Sequence, residues 1–356
     1  MKELLWIGTY SEPILFGTGK WFRGKGEGLY LCAFEEGKLT VLDCLKMGNP
    51  SFLAVNEEKR HVYAVNEMKE FRGAPGGGLT DIVCDEKGGM AVAGSFPTHG
   101  GDPCHVAVSP DGRFVCAANY ADGTVTVFRL DASGAVLPNP EVFRHRGAGN
   151  GPRRASPHAH GILFLQDGTM FVPDLGLDRL MAYRVADAGI VPWEEKTVLL
   201  PPGTGPRAAV RSGDGEHLYV MGELSSSVLH LKYRNGTAVI RQSVSALPED
   251  FRGDSAGADV RLTPDGRFLY ASNRGHDSLA MFRVDGQGDL SLLGWVSCGG
   301  KTPRNFAVDP AGRFVLAGNQ DSDFIRVFSV CGDGSLAPAG DIPFPTPVCI
   351  RFLTGI

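Results

Sequence analysis

Pro103-Cys104-His105-Val106-Ala107-Val108-Ser109-Pro110-Asp111-Gly112-Arg113-Phe114-Val115-Cys116-Ala117-Ala118-Asn119-Tyr120 is the stretch whose grammar decides the fold. A short apolar run enters a Pro-Asp-Gly turn, where glycine supplies the positive φ. A second run, rich in β-branched and aromatic residues, leaves it. The same order returns in Asp259-Val260-Arg261-Leu262-Thr263-Pro264-Asp265-Gly266-Arg267-Phe268 and in Pro303-Arg304-Asn305-Phe306-Ala307-Val308-Asp309-Pro310-Ala311-Gly312-Arg313-Phe314. Weaker copies start at Pro50, Ala159 and Pro206. The turn positions are Lys59, Gly112, Gly168, Gly215, Gly266 and Gly312, in steps of 53, 56, 47, 51 and 46 residues.

After each hairpin comes a polar turn such as Ala121-Asp122-Gly123, a third strand such as Thr124-Val125-Thr126-Val127-Phe128, and a looser fourth. Four strands in about 50 residues make a propeller blade. Six copies are complete. A seventh first strand, Thr346-Pro347-Val348-Cys349-Ile350-Arg351-Phe352, has no hairpin after it, and Leu4-Leu5-Trp6-Ile7-Gly8-Thr9-Tyr10 has no first strand before it. Pairing the two closes a ring of seven and removes the open edges. No helical period is sustained. The expectation is one all-β domain over residues 1–356, a seven-bladed β-propeller with four antiparallel strands per blade. Phe71 to Met90 reads as a Gly-rich insertion in the first full repeat: a lid, a dimer contact or a long loop.

Composition agrees with a folded chain of many turns: 48 glycines and 23 prolines are spread along its length. The net charge of −5 and the absence of a basic run argue against a nucleic-acid partner. No run of 18 apolar residues occurs, and the first residues lack an apolar leader. A cytoplasmic protein without a membrane partner, monomeric or weakly dimeric, is expected. The eight cysteines form no CxxC pair and read as reduced thiols. His158-Ala159-His160 lacks an obvious third ligand, so neither a metal nor another cofactor is expected.

The start of a blade's first strand and the end of its second lie at one end of the hairpin, and the first strand is innermost. These two points therefore ring one mouth of the central channel. The starts carry Ser51, Cys104, His160, Arg207, Ala258, Arg304 and Val348, and the ends carry Glu67, Tyr120, Gly176, Glu223, Arg274 and Gln320. Charges converging on a channel are costly unless paired or solvated. Singly, each has a bland explanation: His160 fills the channel, Arg207 and Glu223 form a structural ion pair, and Arg274 precedes a loop glycine. Together, at equivalent blade positions, they point to a site.

At Ser156-Pro157-His158-Ala159-His160-Gly161, Gly205-Pro206-Arg207, Met221-Gly222-Glu223-Leu224, Ser272-Asn273-Arg274-Gly275-His276-Asp277-Ser278, Pro303-Arg304-Asn305-Phe306 and Thr346-Pro347-Val348, the chain resembles the lactonase-type seven-bladed propeller family. That family includes the propeller form of 6-phosphogluconolactonase and the fungal carboxy-muconate cyclase. The resemblance implies one His, two Arg and one Glu at a channel mouth, which map onto His160, Arg207, Glu223 and Arg274. The spelling His-Ala-His, where relatives often have His-Pro-His, keeps His158 beside His160. The expected substrate-binding set around them is His158, Arg304, Asn273, Asp259, Glu67 and Gln320. The implied reaction is hydrolysis of a small anionic sugar lactone by general acid/base catalysis with Glu223 or His160 as base. The rival readings are lactonising cyclisation of an unsaturated dicarboxylate and a non-catalytic propeller that binds a protein or sugar.

Overall fold

The computed structural model describes residues 2–85, 89–151 and 153–353. Seven antiparallel sheets follow one another around a ring. Blade 1 joins the two ends of the chain: Pro347–Phe352 pairs with Glu3–Thr9, followed outward by Gly28–Glu35 and Lys38–Lys46. The closing register sets Ile7 opposite Ile350. Blades 2 and 3 begin at Pro50–Asn56 and Pro103–Val108, and blades 4 and 5 at Leu163–Phe164 and Pro206–Arg211. Blades 6 and 7 begin at Ala256–Leu262 and Pro303–Val308. Among the described residues no helix is long and apolar enough to cross a membrane.

Apolar residues of both middle strands are buried on both faces, because each blade is covered by a neighbour on either side. The result is seven core clusters, each at one interface between adjacent blades. Leu5, Ile7 and Phe34 of blade 1, for example, pack on Leu316, Ile325 and Val327 of blade 7.

Two sequence expectations change. Phe71 to Met90 is not an insertion. Gly78–Cys84 is the regular third strand of blade 2, preceded by the small hairpin Glu70–Phe71/Ala74–Pro75 and followed by Met90–Pro97; residues 86–88 lie outside the described residues. Its glycines answer to packing: a Cβ on Gly78 would lie 2.5 Å from the Phe71 ring, and one on Gly77 would lie 2.2 Å from Pro103. The weak copy at Ala159 is also irregular. Blade 4's first strand is only Leu163–Phe164, and upstream of it an isolated bridge joins Ala159 to Asp174.

The starts of the first strands share a device that the repeat does not reveal. The ladder shifts register between Pro50 and Phe52, Pro103 and His105, Pro206 and Ala208, and Pro303 and Asn305. Ser51, Cys104, Arg207 and Arg304 are the extra residues of these bulges. A bulge re-aims its side chain, and these four line the channel cavity.

Candidate active site

A pocket of about 310 Å³ opens at the predicted mouth of the channel. Its floor includes Glu67, Cys104, His160, Glu223, Arg274 and Arg304. Glu223 stands at the end of blade 5's second strand, His217–Gly222, with its side chain only 2 % exposed. Three guanidiniums surround its carboxylate. Arg274 Nη2 lies 2.7 Å from Oε2, Arg153 Nη2 2.6 Å from Oε1, and Arg207 Nε 3.0 Å from Oε2, the two contacts to Oε2 being ion pairs off the hydrogen-bond direction. Burial by itself would raise the carboxyl's pKa; Arg274 and Arg153 outweigh it and hold Glu223 ionised, well below the usual carboxylate range. Arg207 is lowered to about 10 by burial and by the neighbouring Arg274 and Arg304. It also donates to the Ala258 carbonyl.

His160 Nε2 is 3.6 Å from Glu223 Oε2, too far for a hydrogen bond. Burial first and Arg207 next push its pKa well below the ordinary histidine value, so the imidazole is neutral at neutral pH. Its backbone N–H donates to the Pro173 carbonyl at 2.9 Å, which fixes the irregular start of blade 4.

Beside this cluster, Arg304 Nη2 reaches Glu67 Oε1 at 3.4 Å, and the Tyr10 hydroxyl donates to Glu67 Oε2 at 2.9 Å. The Arg304 guanidinium also lies over the rings of Tyr10 and Phe16, 5.4 and 5.7 Å from their centroids. Burial opposes its charge, yet the anionic neighbourhood, Glu67 included, raises its pKa.

The predicted set therefore divides. His160, Glu223, Arg274, Arg304, Glu67 and Gln320 line the pocket. Arg207 sits just below it, in a small cavity of about 30 Å³ that His160, Cys104 and Arg304 also line. Asp259 belongs to that lower level, where it pairs with Arg261 at 3.0 Å and accepts from Asn305 at 2.6 Å. His158 turns away: Nδ1 bonds the Tyr120 carbonyl at 2.8 Å, and its ring stacks on Tyr120. Asn273 is fully buried and donates to the Ala246 carbonyl at 2.7 Å, outside the pocket lining. Among the described residues no three His, Cys, Asp or Glu side chains gather as a metal-holding set.

Sequence reasoning missed two contributions. Arg153 comes from the loop after Gly147-Ala148-Gly149-Asn150-Gly151, which reads only as turns, and it bonds both Glu223 and the Tyr120 hydroxyl. The roof is a hairpin, Pro13–Leu15 with Trp21–Arg23, from which Leu15, Phe16, Trp21 and Phe22 line the pocket. The one available signal was length. Eighteen residues, Tyr10 to Glu27, stand where blade 3 has a turn of four, Tyr120 to Gly123.

Residues 4–352 match the family described as Lactonase, 7-bladed beta-propeller. The chain is 33% identical over 320 residues to the 6-phosphogluconolactonase of Bacillus subtilis, covering 86% of this chain and 85% of that one. Among solved structures it superposes on the periplasmic gluconolactonase PpgL of Pseudomonas aeruginosa with a TM-score of 0.91 and 32% identity, over 99% of both chains. On a putative 6-phosphogluconolactonase of Bacteroides fragilis the TM-score is 0.89 at 29% identity, over 99% of this chain and 98% of that one. With its seven blades, its channel-mouth cluster and a match over nearly its whole length, the chain belongs to the lactonase family of seven-bladed β-propellers.

Proposed function

We propose that the protein hydrolyses a small anionic sugar lactone, 6-phosphogluconolactone or a close relative, without a metal. One observation carries this reading: three guanidiniums, one buried and two half-buried, share a single buried carboxylate, Glu223. Arg304 is already matched by Glu67. The cluster around Glu223 thus holds two positive charges in excess, and an anionic ligand meets that excess. The names of the similar proteins support the same substrate class.

The ion pairs select the base. The Glu223 carboxylate is already committed as the counter-ion of three arginines. His160 is neutral, lines the pocket and turns Nε2 toward Glu223. In the proposed step water attacks the lactone carbonyl carbon while His160 Nε2 takes its proton. Arg274 and Arg153 face the negative charge that grows on the carbonyl oxygen. Collapse breaks the ring C–O bond, the imidazolium returns the proton to the leaving alkoxide, and the product is an open-chain hydroxy acid. All eight cysteines are free thiols, which accords with a cytoplasmic location.

The test is the rate of 6-phosphogluconolactone hydrolysis above its spontaneous background. His160→Ala is expected to lower kcat by about 10²–10⁴-fold, and Arg153→Ala and Arg274→Ala to lower kcat/KM. A rate untouched by EDTA agrees with the metal-free step. A wild-type rate equal to background removes this substrate; activity indifferent to all three substitutions removes this site.

A further inference from the structure

The His160 ring has a second polar neighbour. While Nε2 looks toward Glu223, Nδ1 faces the Cys104 sulfur at 3.4 Å. Cys104 is the bulge residue of blade 3, turned by the register shift into the channel. Burial raises its pKa, so the thiol keeps its proton. That proton has backbone acceptors: the carbonyls of Ala118, Ala159 and His160 each lie 3.8 Å from the sulfur. A thiol that donates to a carbonyl is free to accept at sulfur, and what it meets there is Nδ1. A neutral imidazole carries one N–H. If Nδ1 holds it, Nε2 carries the lone pair.

We propose that Cys104 is a positioning residue that keeps neutral His160 in the Nδ1–H tautomer, leaving the Nε2 lone pair to receive a proton in the pocket. The inference rests on His160 being the base of the lactone reaction. Without the sulfur, the negative charge of Glu223, 3.6 Å from Nε2, favours the proton there, where it would block proton acceptance. A residue that only filled space at position 104 could be exchanged for valine at no cost to the tautomer.

The tautomer is read directly from long-range ¹H–¹⁵N correlation spectra of the full-length, ¹⁵N-histidine-labelled protein at neutral pH without substrate. His160 is assigned by its absence in His160→Gln. The wild type is expected to show a protonated Nδ1 and a bare Nε2. Cys104→Ser, whose hydroxyl can both donate and accept, is expected to keep that pattern and to hold kcat within about threefold. Cys104→Val is expected to shift His160 toward Nε2–H and to lower kcat about tenfold while KM stays within about twofold. Cys104→Ala replaces it if the valine variant does not fold. A protonated Nε2 in the wild type, or an unchanged tautomer in the folded valine or alanine variant, overturns the proposal. Because the spectra need no lactone, a tautomer shift in a protein that hydrolyses none would uphold the positioning and remove the lactone reading alone.

Discussion

Glu223 holds one negative charge against three guanidiniums, and that imbalance governs how single substitutions should behave. Glu223→Gln leaves buried Arg207 and half-buried Arg153 and Arg274 without their shared counter-ion and is expected to destabilise the fold by about 3 kcal/mol, measured by chemical denaturation. Histidine titration adds a pH signature. The folded pKa of His160 lies below its ordinary value of 6.5, so the unfolded chain takes up this proton first as pH falls. Its share of stability is complete above pH 6.5 and is lost on acidification toward the lower folded value. Glu223 acts the same way below its ordinary 4.5. Stability should fall less steeply below pH 6.5 in His160→Gln than in the wild type. The kcat/KM of the wild type should stay flat well below pH 6.5, because the base form persists there. A kcat/KM that halves at the ordinary histidine value would contradict a neutral, buried His160. His160, Arg207, Glu223 and Arg274 were legible because the repeat places them at matching points of successive blades. Arg153 was not, because its glycine-flanked loop has no repeat register to locate it. Nor was the inward turn of Cys104, since a one-residue bulge leaves no periodic trace.

Among the elements, the hairpin Pro13–Leu15/Trp21–Arg23 sets how closed the pocket is. One face of it is tied into the site by an aromatic cluster: the Phe16 and Phe22 rings lie 5.7 and 6.0 Å from that of Tyr10, whose hydroxyl donates to Glu67. Its far edge is open, and Trp21 is 73 % exposed. Replacing residues 13–23 by a short Gly-Ser linker removes no blade strand, so the folded ring should survive. KM should rise about tenfold, because roof contacts are lost while His160 and Glu223 stay in place. A KM unchanged by the deletion would make the roof a bystander. The sequence hid this element because three-residue strands in a loop carry too little alternation to stand out. It misplaced Gly78–Cys84 for a related reason: three glycines in a row read as a loop, though Gly77 and Gly78 are there for close packing against Pro103 and Phe71, and Gly76 for its positive φ against the Gly100 backbone.

The whole molecule is a ring of seven interfaces, and its apolar cores lie between blades rather than within them. This architecture was legible almost entirely, because turn chemistry and spacing repeat six times and the seventh copy is completed by the two chain ends. A chain cut after Phe344 loses Pro347–Phe352, leaves Glu3–Thr9 with an open edge and strips Ile350 and Phe352 from the core between blades 7 and 1. It should melt at a lower temperature and aggregate, whereas adding a peptide of residues 345–353 should restore part of the loss; a truncated chain as stable as the intact one would refute closure as a stabilising contact. The same seam has a consequence during synthesis. Glu3–Thr9 leaves the ribosome about 340 residues before its partner strand, a wait of roughly 20–70 s at about 5–20 residues per second. Six blades can therefore stack as they emerge, but Glu3–Thr9 must stay unclasped until Pro347–Phe352 has been translated.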